Sequence, residues 1–309
     1  VYGLQTEDDF RVIAKFYRPG RWSEAAIREE LSFVAECAEL GLPVLTPLHD
    51  AQGETLQAIA VETPADASGD DERLYFFSVY PFVRGRGWEP VKDDDWLELG
   101  RLIASLHEIG ARKTAMNRLV IGPETSTRPA LQSLLATGVV HPDVRAEFEE
   151  LCVSSLERLA PLFDGIPRIR LHGDLHRGNL LDAGTFLGDE QPTRPILIDF
   201  DDTANGPAVQ DFWLFLPGRL DDSRKELGLM LEGYEEIRAF DRSTTALIEP
   251  LRLMRMIAYL DWQARQRADA GFDRAFPDWG GRAFWIKELE DLRDQARVIE
   301  DAAGSFYPA

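Results

Sequence analysis

The sequence predicts an α+β protein in which a small antiparallel sheet and one main helix precede a larger, mostly helical part. Two observations indicate this division. The first eighty residues alternate short apolar segments with turn residues, whereas long amphipathic patterns of helical period dominate the remainder. Both patterns are interrupted at residues 80–87, which read Tyr-Pro-Phe-Val-Arg-Gly-Arg-Gly. We therefore expect an N-terminal lobe at residues 1–83 and a helical C-terminal lobe at residues 84–309.

The predicted sheet rests on segments rich in β-branched, aromatic and other apolar residues. Strands are expected at residues 1–5, 10–17, 56–61 and 74–79, with a loop rich in Gly, Asp and Ser at residues 65–71. Between the second and third strands, Ser23 is a suitable N-cap for a helix that runs through Cys37 and Leu40. Gly41 ends this helix, because glycine readily adopts the conformation that follows a helix C-terminus.

The helical part begins at the acidic run Asp93 to Asp95, whose charge stabilises a helix N-terminus. Apolar residues recur at helical intervals through much of the chain beyond this run. Further helices are expected near residues 130–136, 143–159, 224–240, 243–268 and 284–302. The polar segment at residues 182–194 is expected to form a surface hairpin.

The composition restricts the partners and the compartment. A formal net charge of −20 argues against nucleic acid and anionic membrane as partners, because both would be repelled at long range. The two cysteines, Cys37 and Cys152, lie in apolar helical patterns, so we expect buried thiols in a reducing cytoplasm. No apolar run approaches membrane-spanning length and no secretory signal is visible. We expect a cytoplasmic monomer.

Two segments combine the residue types that carry chemistry. Residues 171–180 place the carboxylate of Asp174 five residues before the carboxamide of Asn179. A second, strand-like segment ends in Asp199 and continues with Phe and Asp201. Phosphoryl transfer from Mg-ATP uses such a set, because it needs an oxygen base for the hydroxyl proton and both neutral and anionic oxygen ligands for magnesium. The protein-kinase catalytic loop has the same Asp-to-Asn spacing, and Asp201 stands where the kinase Asp-Phe-Gly motif has Gly.

Each of these residues also has a purely structural interpretation. Asp174 alone would suit an Asx-turn, and Asn179 and Asp199 alone would suit caps. Together they predict Asp174 as the catalytic base and Asn179 and Asp199 as magnesium ligands. Asp201 is expected to be an additional ligand or an acceptor beside the ligands. Asp202 is expected to be solvated or to cap a turn.

An isolated lysine, Lys15, lies in the predicted second strand, and Glu30 lies on the helix that comes after this strand. Kinases use such a pair to hold the ATP phosphates, although a surface lysine and a solvated glutamate fit the pattern equally well. Glu29 is an alternative partner, but Glu30 shares a helix face with Phe33 and Val34, which would direct it inward. The sequence has no Gly-rich phosphate loop near Lys15 and no Walker A motif.

Two histidines, His172 and His176, flank Asp174. Magnesium does not favour imidazole ligands, so we expect both to orient the loop by donating hydrogen bonds to backbone or carboxylate. His107 lies at the end of an apolar helix face and is expected to be packed and hydrogen-bonded.

The motif segments, residues 171–180 and 197–202, resemble the aminoglycoside/choline kinase-like phosphotransferases, a superfamily that shares the protein-kinase fold. Longer segments at residues 12–22, 201–211 and 275–279 resemble a group of bacterial serine/threonine protein kinases within it. The resemblance implies a bilobal protein-kinase-like fold, ATP as co-substrate with Mg²⁺, and a Ser/Thr hydroxyl of a protein as acceptor.

The resemblance also implies roles for individual residues. It implies the same roles for Asp174, Asn179 and Asp199 as their spacing does, and it implies that Lys15 contacts the ATP phosphates and pairs with Glu30. The chain between the lobes would meet adenine at Tyr80, Phe82 and Val83. Compared with the family pattern, the first strand and the phosphate-covering loop are expected to be missing ahead of the sequence.

Three functions fit these expectations. The first is a serine/threonine protein kinase that uses ATP and magnesium. The second keeps the chemistry but transfers the phosphoryl group to a small alcohol, such as an aminoglycoside-, choline- or sugar-type hydroxyl. The third is a non-catalytic nucleotide-binding scaffold, which the presence of Lys15, Asp174, Asn179 and Asp199 disfavours.

Overall fold

A four-stranded antiparallel sheet forms at the N-terminus, as predicted. The computed structural model describes residues 1–7, 9–62, 72–182, 195–269 and 271–306. The strands are β1 (Tyr2–Gln5), β2 (Arg11–Phe16), β3 (Gln57–Glu62) and β4 (Glu72–Pro81), in the order β1-β2-β4-β3. The register of the two central strands places Lys15 opposite Ser78 and Ile13 opposite Tyr80. The predicted loop at residues 65–71 lies outside the described residues.

One helix, α1 (Glu24–Glu39), comes after the second strand. It begins at Ser23, whose hydroxyl accepts a hydrogen bond from the amide of Ala26 at 3.2 Å. Ile27 and Leu31 on its buried face pack with Tyr17 and Leu56 into a core beneath the sheet. Burial of this apolar face stabilises the helix on the sheet.

The remaining elements are mainly helices, joined by very short strands. In chain order they are β5 (Arg86–Gly87), α2 (Asp93–Gly110), α3 (Arg128–Ala136), α4 (Pro142–Leu159), β6 (Ile169–Leu171), β7 (Leu180–Asp182), β8 (Ile196–Leu197), β9 (Ala204–Gly206), α5 (Gln210–Trp213), α6 (Arg224–Glu235), α7 (Ile248–Gln266), α8 (Phe272–Ala275) and α9 (Arg282–Phe306). Strands of two or three residues show no periodicity in a sequence, so of β5 to β9 only β8, in the apolar segment before Asp199, was anticipated.

Two predicted helices have different ends. The helix expected at residues 224–240 stops at Glu235, and the ring of Phe240 packs back on Tyr234. The helix expected at residues 243–268 begins at Ile248, after a 3₁₀ turn that Asp241 caps. Pro250 is the reason, because its nitrogen cannot donate the hydrogen bond that an earlier α-helical start would require.

Two small sheets position the loops between the helices. Strands β5, β7 and β8 form one antiparallel sheet, in which Leu180 lies opposite Leu197 and Leu181 opposite Ile196. Strand β6 pairs with β9. The segment predicted as a hairpin between β7 and β8 lies almost entirely outside the described residues, but its flanking strands pair antiparallel.

Packing divides the chain into two units. The first unit comprises residues 1–118, 169–205 and 225–240, and the second comprises the rest of the chain. In the second unit α7 packs against α3 and α9, and Trp285 is fully buried with its ring edge-on to Phe148 at 5.7 Å. The boundary expected at residue 83 stays a prediction. Within the described residues, no helix combines the length and apolarity needed to cross a membrane.

Candidate active site

The loop after β6 carries Asp174 and is pressed against the turn after β8. Gly173 has φ +85°, and a Cβ at this position would lie 2.1 Å from the carbonyl oxygen of Asp202. Only glycine combines this left-handed conformation with such a close backbone approach. The first unit therefore brings the two segments that the sequence singled out into direct contact.

Asp174 and Asn179 are linked within this loop. The side-chain nitrogen Nδ2 of Asn179 donates to the backbone oxygen of Asp174 at 2.8 Å, and Asn179 is 7% exposed. Nδ1 of His176 accepts from the amide of Gly178 at 2.9 Å, and its Nε2 lies 3.4 Å from Oδ2 of Asp174. The imidazole therefore bridges the loop backbone and the carboxylate, but at the backbone it accepts a hydrogen bond where donation was expected.

The second histidine, His172, connects the loop to the neighbouring segment. Its Nε2 lies 2.9 Å from the carbonyl oxygen of Ile198, and its ring packs on Phe200 with centroids 4.6 Å apart. The ring of Phe200 in turn meets Phe33 of α1 edge-on at 5.9 Å. His107 is fully buried, and its Nδ1 lies 3.1 Å from the hydroxyl of Tyr234.

Asp199, just after β8, adopts a left-handed conformation, with φ 61° and ψ 64°. This conformation costs a non-glycine residue on the order of 1 kcal/mol, so the surroundings must hold it. The amide of Ile198 donates to the carbonyl oxygen of Asn179 at 3.1 Å, and the amide of Thr203 closes the next turn on Phe200 at 2.9 Å. The sharp turn directs the carboxylate of Asp199 toward Lys15.

Lys15 is surrounded by three carboxylates. Its Nζ lies 2.7 Å from Asp199, 2.8 Å from Asp201 and 3.8 Å from Glu30. Desolvation lowers the pKa of Lys15, but the three negative charges outweigh it, and the pKa is raised above its ordinary value. For Asp199, desolvation raises the pKa. The charge of Lys15 and its hydrogen bond outweigh this effect, so the pKa of Asp199 is lowered overall.

Glu30, rather than Glu29, lies beside Lys15. Glu30 is 1% exposed, and its carboxylate accepts from the hydroxyl of Tyr17 at 3.2 Å and lies 3.5 Å from the guanidinium of Arg118. Burial raises the pKa of Glu30, and the charges of Lys15 and Arg118 oppose the increase. Glu29 instead accepts hydrogen bonds from backbone amides of the loop that precedes Arg118.

Asp201 and Asp202 are both engaged by Arg21. Nη1 of Arg21 lies 3.3 Å from Oδ2 of Asp201, and its Nη2 lies 2.6 Å from Asp202. Since Lys15 contacts the other oxygen of Asp201, both oxygens of that carboxylate face cations. The geometry therefore favours an acceptor beside the ligands over an additional ligand. Asp202 is 43% exposed, but it forms an ion pair where solvation or capping was expected.

A cavity of about 320 Å³ opens beside Lys15. The three residues predicted to meet adenine, Tyr80, Phe82 and Val83, all line it. Burial raises the pKa of Tyr80 to about 12, so its hydroxyl stays neutral at physiological pH. Other side chains around the cavity are mostly apolar and come from β2, from α1, from β7 and from connecting segments: Ile13, Val34, Leu181, Leu45, Ile198 and Phe200.

Two other cavities in the first unit are larger, about 410 and 390 Å³. Neither is lined by any of the predicted site residues. Size alone would therefore select a cavity without any predicted site residue, whereas the position of Lys15, Glu30 and Asp199 selects the smaller one.

The residues predicted to bind magnesium offer a suitable donor set. In the described part of the chain, no three His, Cys, Asp or Glu side chains are grouped as a metal site. The predicted set instead pairs one carboxamide with one carboxylate. Because Nδ2 of Asn179 donates to the loop backbone, its Oδ1 would be the atom that holds the metal, and Asp199 adds a half-exposed carboxylate. Both are the hard oxygen ligands that magnesium prefers.

Sequence reasoning missed Arg21, Arg118 and Tyr17. Tyr17 and Arg21 lie in the segment at residues 12–22 that carries the family resemblance, but no pattern there distinguishes either of them from a surface residue. Arg21 precedes Trp22 after a Pro-Gly turn, which is a weak signal of a structured loop. Arg118 gives no signal at all.

Known proteins share both the sequence pattern and the fold. The sequence matches the model of a family described as "Phosphotransferase enzyme family" over residues 1–251. The chain belongs to this phosphotransferase family. The phosphotransferase is 32% identical to stress response kinase A of Escherichia coli (strain K12), over 315 residues that cover 100% of this chain and 87% of that protein. It is also 32% identical, with the same coverage, to the serine/threonine protein kinase RdoA of Salmonella typhimurium (strain LT2).

Solved structures show the fold. The phosphotransferase resembles amicoumacin kinase hAmiN, solved in complex with AMP-PNP, Ca²⁺ and Ami, with a TM-score of 0.67 and 18% identity over 94% of this chain and 84% of that one. It resembles choline kinase LicA from Streptococcus pneumoniae with a TM-score of 0.59 and 15% identity over 96% and 89% of the two chains. The α+β kinase-like fold class and the predicted family resemblance are confirmed.

Proposed function

We propose that this phosphotransferase is a kinase that uses ATP and Mg²⁺ and transfers the γ-phosphoryl group to a Ser/Thr hydroxyl of a protein. The observation that carries the proposal is the position of Lys15. Its ammonium contacts Asp199 and lies near Glu30 of α1, beside an apolar cavity and in the same unit as the loop with Asp174 and Asn179.

The cavity supports nucleotide binding. Its apolar lining suits a flat aromatic base, and Tyr80, Phe82 and Val83 lie along it. Lys15 lies at the polar end, where its charge would neutralise phosphate oxygens. Glu30 holds the ammonium from the side of α1, and the raised pKa of Lys15 keeps it charged.

Asp174 is proposed to accept the proton of the acceptor hydroxyl. His176 holds the carboxylate from one side, and the hydrogen bond from Asn179 fixes the backbone of the same residue. Asn179 and Asp199 would hold Mg²⁺, which when bound neutralises charge on the phosphates. The protein side chains form no covalent bond in this proposal, because phosphoryl transfer depends mainly on positioning and charge neutralisation.

A protein acceptor is favoured by the relatives. Those that align with the whole chain at 32% identity include one named a serine/threonine protein kinase. A small-molecule acceptor is the second candidate, because the fold neighbours are named as amicoumacin and choline kinases and a net charge of −20 suits a cationic acceptor. The scaffold alternative lacks any supporting observation.

The setting proposed for this activity is a monomer in the cytoplasm. Both cysteines are buried free thiols, Cys37 on α1 and Cys152 on α4, which suits a reducing compartment.

The test is transfer of ³²P from labelled ATP, with protein acceptors and small alcohols assayed in parallel. We expect labelling of a protein on Ser or Thr, loss of labelling in Asp174→Asn, and no loss in the exposed control Asp164→Asn. Strong ADP release with one small alcohol and no labelled protein would support the second candidate instead. Labelling that persists in Asp174→Asn would contradict the assigned base.

A further inference from the structure

Arg118 is a buried cation at the junction of α1 and the turn that carries Asp199. Its side chain is fully buried, and an arginine in such a position needs hydrogen-bonding partners. Nε donates to the carbonyl oxygen of Thr203 at 2.9 Å, and Nη2 donates to those of Asp201 at 2.5 Å and Phe200 at 3.3 Å. One planar group therefore holds three carbonyls of the turn that begins at Asp199.

The same guanidinium contacts α1 and the residue that precedes its N-cap. Nη2 lies 3.5 Å from Oε2 of Glu30 on the helix. The group also lies over the ring of Trp22, with Cζ 4.1 Å from the ring centroid. Stacking on an indole and a fork of directed donors are properties that lysine cannot reproduce. Arg118 thus joins Glu30 to the backbone of the turn after β8.

The short loop before Arg118 is anchored on two sides. On one side, Glu29 accepts from the amides of Met116 at 2.8 Å and Asn117 at 2.7 Å. On the other, the side chain of Asn205 exchanges two hydrogen bonds with the backbone of Ala115, at 3.0 and 2.8 Å. The backbone of residues 115–118 is therefore tied both to α1 and to strand β9. These contacts fix the backbone position from which the side chain of Arg118 extends.

Lys15 alone does not provide this coupling. Its ammonium is 2.7 Å from Asp199 but 3.8 Å from Glu30, and it must also serve the nucleotide phosphates if the proposed function holds. Arg118 gives Glu30 a second cation, and this cation does not itself line the cavity. We expect this second cation to keep Glu30 and the Asp199 turn in one arrangement when Lys15 exchanges a carboxylate for phosphate oxygens.

We propose that Arg118 is a positioning residue that fixes the turn of Asp199 against α1 and thereby sets the affinity of the site for magnesium-bound nucleotide. The proposal rests on the proposed function in so far as Asp199 is taken as the magnesium ligand. Residues that hold a metal ligand in place typically contribute 10- to 100-fold to metal affinity, so an effect of about tenfold or more is expected.

The test measures ATP binding by calorimetry in the absence and presence of Mg²⁺, together with thermal unfolding, on the full chain. Arg118→Lys keeps the charge near Glu30 but loses the fork, so it separates charge from geometry. We expect its Tm to stay within a few degrees of the wild type and its metal-free ATP affinity within about threefold. The gain in affinity on adding Mg²⁺ should fall about tenfold or more. The exposed control Arg112→Lys should match the wild type in all three measurements.

A second variant covers the case in which Arg118→Lys does not fold. Glu29→Ala releases the loop at residues 116–117 from a partly exposed position, and we expect its Mg²⁺-dependent gain to fall at least about threefold with metal-free binding retained. An unchanged gain in a folded variant at either position would overturn the proposal. Wild type that binds Mg-ATP but transfers no phosphoryl group would refute the proposed function alone, because the binding measurements still decide the role of Arg118.

Discussion

Lys15 donates a hydrogen bond to Asp199 at 2.7 Å, although 184 residues separate the two in the sequence. The contact joins the central strand β2 to the turn after β8. The same ammonium lies 2.8 Å from a second carboxylate, that of Asp201. The residue proposed to bind phosphate is thus held by the residue proposed to bind magnesium. We expect nucleotide and metal to replace this contact together, with phosphate oxygens taking Lys15 and the cation taking Asp199.

Lys15→Met should lower kcat/KM for ATP by about 100-fold, because it removes a charge aimed at the phosphates. It also leaves three carboxylates near one another without their shared cation, so the Tm at pH 7 should fall. Steady-state kinetics and thermal unfolding measure the two effects. The control Lys287→Met removes an exposed lysine on α9 and should change neither.

The stability loss in Lys15→Met should depend on pH in a defined direction. The pKa of Asp199 is lowered in the folded protein, so the stability that Lys15 confers through it is present above the ordinary value of 3.8. That stability is lost as the pH falls through the lower folded value. The part of the Tm difference between wild type and variant that comes from Asp199 should therefore persist from pH 7 down to about pH 4 and shrink only as the pH falls below 3.8. A difference that grows on acidification would contradict this account of the ion pairs.

Asp199→Asn and Asp201→Asn should have different consequences for metal dependence. Both oxygens of Asp201 already face Lys15 or Arg21, whereas Asp199 is half exposed. We expect the apparent Mg²⁺ affinity to fall at least about tenfold in Asp199→Asn and to change less than about threefold in Asp201→Asn. Titration of activity against Mg²⁺ at saturating ATP gives both values. Equal losses would make Asp201 a ligand as well.

Gly173→Ala should cost more stability than its conformation alone explains. Gly173 and Gly53 both have φ near +85°, but a Cβ at Gly53 meets no atom within 4 Å, whereas one at Gly173 meets a carbonyl oxygen at 2.1 Å. Gly53→Ala should therefore show only the conformational cost of about 1–2 kcal/mol. Gly173→Ala should lose roughly a further 1–3 kcal/mol from overpacking. Chemical denaturation of the two variants measures the difference, and equal losses would show that the loop contact is unimportant.

Both cysteine thiols should resist modification in the folded protein. Burial raises the pKa of Cys37 and of Cys152 to about 12, so neither forms appreciable thiolate at pH 8. A disulfide reagent should react with two thiols after denaturation and with almost none before it. Since a thiol with a raised pKa stabilises the fold only below its ordinary value of 9.0, the free energy of unfolding should decrease as the pH rises above 9. Rapid labelling at pH 8 would contradict the burial of these residues.

The sequence was most informative where function depends on local spacing. Asp174 and Asn179 lie on one short loop, and their five-residue spacing was enough to predict that both belong to one site. The inward direction of Glu30 followed from helix periodicity, because its neighbours Phe33 and Val34 are apolar. The start of α1 at Ser23 followed from capping chemistry.

The site residues that the sequence did not reveal are brought together by contacts between distant parts of the chain. Arg118 and Arg21 become site residues only because the turn after β8 packs against them, and no local pattern marks an arginine as buried. The engagement of Asp202 by Arg21 has the same origin. The late start of α7 reflects Pro250. The prediction placed the start earlier because it followed the apolar periodicity and gave this proline too little weight.

The central claim is that Asn179 and Asp199 hold one divalent cation beside Lys15. Anomalous diffraction from crystals of the full chain with Mn²⁺ and a non-hydrolysable ATP analogue tests it most directly. We expect an anomalous peak within about 2.5 Å of both Oδ1 of Asn179 and a carboxylate oxygen of Asp199, with a phosphate oxygen on the same ion. An ordered nucleotide whose Mn²⁺ lies away from either side chain would contradict the account.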